Sequence, residues 1–263
     1  MTARLELGCP DYPFGAPCWL DLLVADPDRS RRFYTGLFGW DWRSDAATGG
    51  YPLALLDGHP VAGLSRRPPT AAVASQWTTY LRAGDLAFTA PAVARHGGRV
   101  LGPPTALGAL ARTLVVKDPG GAYVGLWEPA ALAGSGLLDR PGSLTWSELL
   151  TRDAEACLSF YVSLLAHGFV EETEPDGPRW WTAHTADGNP AYGLAEIEPD
   201  WPASIPSHWL ASFATDDVDA TVARAVGLGG SVVMAPYDGP YGYGAVLAGP
   251  EGEVFSVLVP DPD

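Results

Sequence analysis

Basic residues are scarce in this chain. Its 263 residues include 16 Lys and Arg against 31 Asp and Glu, a net charge of -15 at pH 7. Surfaces that bind nucleic acid or anionic membranes rely on clustered cations, so neither partner is expected. No stretch reaches the roughly 18 continuous apolar residues of a membrane span. Residues 1–17 lack the basic start and apolar run of a secretion signal, which makes a cytoplasmic location the expectation. Cysteine is sparse too. Cys9, Cys18 and Cys157 form no Cys-x-x-Cys pair and are odd in number, so they read as reduced, partly buried thiols rather than a disulfide framework or a thiolate zinc site. His59, His96, His167, His184 and His208 show no His-x-x-x-His or His-Glu-x-x-His spacing. A nucleophile elbow, a phosphate-binding loop and a dinucleotide fingerprint are likewise missing.

What the chain does have is apolar and aromatic residues, 47% and 11% of the total. A domain usually holds about 100 to 200 residues, so this length suits two, each able to bury a core. Internal repetition makes the division specific. Trp19 and Phe33-Tyr34 recur as Trp146 and Phe160-Tyr161, since 146 minus 19 and 160 minus 33 are both 127. Trp77 and Gly97-Gly98 recur as Trp209 and Gly229-Gly230, at an offset of 132. Each half divides again into two units, each opening with a strand and a helix and continuing in strands. The first unit places a strand at 18–24 and a helix at 27–38, capped by Asp26 and stopped by Gly39. Pro- and Gly-rich stretches at 65–70, 129–142 and 199–206 read as linkers. Four βαβββ units in two domains give an α+β architecture, with helices covering one sheet face.

The strings Trp19-Leu-Asp-Leu, Asp26-Pro-Asp-Arg-Ser-Arg-Arg-Phe-Tyr, Leu37-Phe-Gly-Trp and Asp118-Pro-Gly-Gly-Ala-Tyr-Val-Gly-Leu-Trp resemble the vicinal oxygen chelate superfamily of glyoxalases, extradiol dioxygenases and bleomycin-resistance proteins. The second half repeats the match through 146–161 and Gly249-Pro-Glu-Gly-Glu-Val-Phe-Ser-Val-Leu, so coverage runs from about residue 17 to 259. Within the superfamily the chain is most similar to the tandem-domain, 27 kDa antigen-like group, whose members include accessory proteins of anthracycline-type antibiotic gene clusters. The resemblance implies two tandem glyoxalase-like domains, 1–130 (modules about 17–65 and 75–128) and 141–263 (modules about 143–198 and 207–259), curled into half-open barrels around a small-molecule cavity.

The resemblance also implies where metal ligands would stand. First-strand ligands fall at Trp19, Thr78, Trp146 and Leu210, and last-strand carboxylates at Gly125 and Ser256. None is a good ligand for a divalent ion, so no metal and no cofactor are expected. Strand alternation assigns the cavity walls instead. Leu20, Leu22 and Val24 should pack under the first helix, leaving Trp19 and Asp21 on the cavity face beside Tyr80 and Arg82, with Tyr123 and Trp127 from the closing strand. The second half offers Trp146, Glu148, His208, Ser212 and Ser256, with Tyr237, Tyr241 and Tyr243 on a Gly-rich segment that is either a mobile aromatic flap or a tight hairpin. Trp19 and Trp146 read either as stacking residues or as core. Asp21 and Glu148 read either as ligand contacts or as structural pairs, with Arg82 the candidate partner.

Aromatic walls beside carboxylates suit a planar aromatic ligand that carries a cation, and the three tyrosines favour the second half. The leading expectation is a metal-free, monomeric binding protein that sequesters an aromatic, glycosylated polyketide and assists a biosynthetic oxygenase or self-resistance. A cofactor-free isomerase, cyclase or hydrolase using Asp21, Glu148 or His208 is the first alternative. A metal-dependent lyase or dioxygenase with displaced ligands is the second.

Overall fold

The computed structural model describes residues 11–46, 48–172 and 178–260, so Cys9 lies outside the described residues. The first half runs β1 (Pro17–Val24), α1 (Pro27–Phe38), β2 (Asp41–Arg43), β3 (Leu53–Leu56), β4 (His59–Arg66), β5 (Gln76–Arg82), α2 (Leu86–Arg95), β6 (Arg99–Val100), β7 (Thr105–Leu107), β8 (Ala111–Lys117) and β9 (Tyr123–Pro129). The second runs β10 (Leu144–Thr151), α3 (Ala154–Leu165), β11 (Gly168–Glu171), β12 (Trp180–His184), β13 (Pro190–Glu196), β14 (His208–Ala214), α4 (Val218–Gly227), β15 (Ser231–Gly239), β16 (Gly242–Ala248) and β17 (Val254–Pro260). The helices start where short polar caps precede apolar periodicity. Asp26, Asp85, Asp153 and Asp217 each accept a backbone N–H of the first turn, and Gly39 stops α1 with φ 75°.

The strands form two mixed sheets in the same order. The first is β2-β3-β4-β1-β5-β9-β8-β6, with β7 on β8, and it curls into a half-barrel. The second is β11-β12-β13-β10-β14-β17-β16-β15. The sequence left open whether units pair within or across halves. They pair within them, through antiparallel β1–β5 and β10–β14, and both pairs carry an irregularity at the same place, between Pro17 and Trp19 and between Leu144 and Trp146.

The halves then pack back to back through their helices. One core joins Leu20, Leu22, Val24, Phe33 and Leu37 of the first half to Phe213, Val218, Phe255 and Val257 of the second. Another joins Leu86, Val93, Val124 and Leu126 to Leu149, Phe160, Leu165 and Trp209. Two buried triads hold these seams. Trp77 Nε1 donates to the Tyr34 hydroxyl (3.0 Å), which donates to Glu253 (3.1 Å). Trp209 Nε1 donates to the Tyr161 hydroxyl (3.3 Å), which donates to Asp118 (3.0 Å).

One expectation about connecting segments changes, and another resolves between its two alternatives. Residues 129–142 are not a free spacer. Leu132 is fully buried there, accepts from Trp127 Nε1 (3.1 Å), and packs with Trp19, Tyr80 and Tyr12 over the first sheet, while Ser135 N–H bonds Cys18 O (2.7 Å). The three-tyrosine segment takes the second of its two expected forms, the β15–β16 hairpin, with Pro240 and Tyr241 at its tip. No helix among the described residues is long and apolar enough to cross a membrane.

Candidate binding site on the second sheet

Each sheet turns one face to the helices and the other away, and the two outer faces correspond position by position. Asp21 lies opposite Gly63 and Thr78, and Glu148 lies opposite Gly193 and Leu210. Trp19 faces Tyr80, and Trp146 faces Ser212. Tyr80 pairs Gly125, and Ser212 pairs Ser256, which makes Leu258 the counterpart of Trp127. In β3 and β12, Leu53 and Thr182 stand opposite the two glycines, so Tyr51 and Trp180, each two residues earlier, also correspond.

The first face is filled. Trp19 and Trp127 are fully buried with ring centroids 5.4 Å apart, and Tyr80 meets Trp127 edge-on at 5.8 Å. The Tyr51 hydroxyl accepts from Trp19 Nε1 at 3.2 Å and donates to Asp21, to which Ser65 also donates at 3.1 Å. A Cβ at Gly63 would collide with that hydroxyl, so the glycine makes its position possible. Burial pushes the Asp21 carboxyl up, and the Tyr51 and Ser65 hydroxyls pull it partway back. The partner of Asp21 is therefore this hydroxyl pair and not Arg82, which corrects the expected salt bridge. Of the residues expected to touch a ligand here, Trp19, Tyr80 and Trp127 pack with one another and with Leu132 of 129–142, and Asp21 is 6% exposed. Tyr123 does lie on the outer face, but under the Lys117 ammonium, 4.4 Å from its ring.

The second face has the same frame with smaller fillings. Where the first has Tyr80 and Trp127, it has Ser212 and Leu258. No apolar core closes over it among the described residues, although exposure alone does not separate the faces, since Leu210, Val246 and Leu258 keep 9, 8 and 7% while Tyr80 of the first face keeps 7% and Trp19 and Trp127 none. Glu148 is half-buried at its centre. Its counterparts of Tyr51 and Ser65 are Trp180 and Ala195, neither of which brings it a hydroxyl, and no hydrogen bond or ion pair reaches its carboxylate from the described residues. Desolvation alone pushes that carboxyl up to about 7.

Around it stand Trp146, Trp180 and Tyr241. The Tyr241 ring lies 4.9 Å from Trp146 and meets Trp180 edge-on at 5.9 Å. Its hydroxyl sits over Gly193, as that of Tyr51 sits over Gly63, and Trp146 comes near enough to hold its phenol down a little, yet no well-formed hydrogen bond joins the hydroxyl and Trp146 Nε1 to each other or to another described residue. Tyr237 leans toward Glu148 from the same hairpin, close enough for the carboxylate to raise its phenol further. His208 lies two residues along β14 from Leu210, which pairs Glu148. Its Nδ1 is 2.8 Å from Pro206 O, so that nitrogen carries the proton and Nε2 is left as acceptor, while burial holds its pKa below the usual range. Tyr243 does not join this group. It sits on the helix side of β16, bonded to Asp219 of α4 at 3.4 Å.

The donor positions implied by the resemblance do not suit a divalent ion. Trp19 is sealed in the first face, the Tyr80 ring fills the place a side chain at Gly125 would need, Leu210 is apolar, and the Ser256 hydroxyl is spent on Ala245 O at 3.2 Å. No three His, Cys, Asp or Glu converge among the described residues.

Three residues central to this frame, Tyr51, Trp180 and Gly193, were not singled out from the sequence. Gly63 follows Asp21 by 42 residues and Gly193 follows Glu148 by 45, so a search at one fixed offset passes over them.

Comparison with known proteins identifies the fold and the family. The chain is 36% identical over 260 residues to CFP32 of Mycobacterium bovis, covering 96% of this chain and 97% of that one. It is 36% identical over 264 residues to the anthracycline biosynthesis protein DnrV of Streptomyces peucetius, covering 93% of each. Among solved structures, the Mn(II)-bound glyoxalase from Novosphingobium aromaticivorans superposes with a TM-score of 0.63 at 15% identity, over 95% of this chain and 85% of that one. The 2,3-dioxygenase LapB from Pseudomonas sp. KL28 gives 0.63 at 13% identity, over 95% and 93%. The sequence model of the Glyoxalase/Bleomycin resistance protein/Dioxygenase superfamily matches residues 18–126 and 143–257, and the chain belongs to that superfamily.

Proposed function

We propose that this chain is a metal-independent binding protein of antibiotic metabolism. It takes up a planar aromatic small molecule on the outer face of its second sheet, and so assists a biosynthetic oxygenase or protects the producing cell. The observation that carries the reading is Glu148, a desolvated carboxylate without a partner, standing beneath Trp146, Trp180 and Tyr241 on a face opened by Ser212 and Leu258. Flat rings stack on such a wall, and the carboxylate selects a ligand that brings it a hydrogen-bond donor or a cation. The kinship to DnrV, a protein named for anthracycline biosynthesis, supports the aromatic polyketide class.

Isothermal titration of metal-stripped protein with planar anthraquinones tests the reading. Micromolar binding is expected, unchanged by added divalent ions and abolished by Ser212→Tyr combined with Leu258→Trp, which rebuilds the filling of the first face. Binding that needs a metal, or none in the micromolar range, overturns it.

One observation favours a second reading. A carboxyl near 7 both gives and takes a proton at neutral pH. Glu148, with the free Nε2 of His208 nearby, would then serve a cofactor-free isomerase, cyclase or hydrolase. Asp21 has no such role, since it is 6% exposed and held by Tyr51 and Ser65. Turnover of polyketide intermediates that Glu148→Gln leaves unaltered would dismiss Glu148 as the acid or base.

A further inference from the structure

The two outer faces share a frame and differ in one completion. In the first, a single hydroxyl joins donor to acceptor: Tyr51 accepts from Trp19 Nε1 at 3.2 Å and donates to Asp21. In the second, Trp146 and Glu148 keep the donor and the acceptor, while the tyrosine position has become Trp180 and the serine position Ala195. A carboxylate retained only for folding would keep its partners or give way to an apolar residue, because an unpaired, desolvated charge weakens the fold.

We infer that the ligand supplies the missing hydroxyl: the second face binds a phenol whose oxygen accepts from Trp146 Nε1 and whose proton is donated to Glu148, as Tyr51 does within the first half. This rests on the reading that the face binds an aromatic molecule, and it names the group recognised. An ammonium could pair with Glu148, but it has no lone pair for Trp146 Nε1 and would leave that buried donor unsatisfied. A hydroxyl answers both.

Tyr241 is the present occupant of the position. Its hydroxyl lies over Gly193, the counterpart of Gly63, where it meets Trp146 Nε1 only in poor geometry and makes no bond to Glu148. A phenol that completes both bonds is therefore the better occupant. Tyr241 follows Pro240 at the hairpin tip, outside the ladder that closes at Gly239 and Gly242, so a change of its side-chain rotamer breaks no β15–β16 bond.

Matched probes test the inference: naphthol, methoxynaphthalene and naphthylmethylammonium, titrated into the full chain and followed by tryptophan fluorescence. Naphthol is expected to bind about tenfold more tightly than methoxynaphthalene, the usual worth of a hydrogen bond to a charged group. Glu148→Leu should erase that preference, while Glu148→Gln, which still accepts, should retain part of it; Trp146→Phe, which keeps a stacking ring but removes the donor to the ligand oxygen, should weaken naphthol and methoxynaphthalene alike and leave the preference in place. Circular dichroism checks that each variant is folded, and the partial loss in Glu148→Gln suffices if Glu148→Leu is not. Equal affinity for naphthol and methoxynaphthalene, or tightest binding of the ammonium, overturns the phenol while leaving the aromatic-binding reading in place. Failure of all three probes to bind overturns both.

Discussion

Glu148 is the residue least suited to its surroundings, and that has a measurable cost. Its carboxyl is pushed up to about 7 from an ordinary value of 4.5. Between those values the folded chain holds a proton that the unfolded chain has released. The stability lent by the neutral form is whole below about pH 4.5 and is lost as pH rises through 7. Glu148→Gln cannot ionise, so it should match the native chain at pH 4.5 and exceed it at pH 8.5 by roughly 1–2 kcal/mol, a value reduced for partial solvent access. Urea unfolding at the two pH values measures this, and an equal effect at both would mean that the carboxylate is already paired. Asp21, at the matching position, is also pushed up by burial but keeps two hydroxyl partners. The sequence put both carboxylates at equivalent places because strand alternation and the 127-residue offset are local properties. It did not disclose that one is satisfied and the other not. The Asp21 partners come from the residues just before β3 and from β4, their counterparts lie in β12 and β13, and residues between Glu148 and Gly193 shift that part of the repeat by three positions, 45 against 42.

Among elements, the helix seams explain repeats that carry no function. Phe33-Tyr34 with Trp77, and Phe160-Tyr161 with Trp209, recur because each tyrosine hydroxyl accepts from the tryptophan of its own half and donates to an acid of the other half, Glu253 or Asp118. The offsets revealed the tyrosines and tryptophans, whereas the acids were hidden because one is Glu and the other Asp, at unequal distances from the closing strands. Tyr161→Phe leaves Trp209 Nε1 and one oxygen of Asp118 buried without a partner, and should cost about 1–3 kcal/mol in denaturant unfolding. Tyr34→Phe should cost a similar amount. The two triads lie in separate cores, so the double variant should equal the sum of the single ones within about 0.5 kcal/mol. A marked departure from additivity would show that the seams communicate.

At the scale of the whole molecule, the α+β frame of four βαβββ units was legible from periodicity and repetition, but the way the halves use one another was not. Helices α1 and α4 share one core and α2 and α3 share another, so neither half can bury its helix-side apolar surface alone. His167 adds to this dependence. It is 3% exposed in the second half, yet its Nε2 lies 3.1 Å from Gly15 O of the first, and its Nδ1 lies 3.0 Å from the Tyr192 hydroxyl. Cooperativity follows from such sharing, because opening one half strips partners from the other at the same moment. Far-UV circular dichroism, which reports both sheets, and tryptophan fluorescence, which draws on both halves through Trp19, Trp127, Trp146 and Trp180, should therefore trace one coincident transition in urea. Two resolved transitions would show that the seams are weaker than the cores they join. In that case filling the second outer face with an aromatic ligand would raise only the later or the earlier midpoint, whereas in a single cooperative unit ligand binding raises the stability of both halves together.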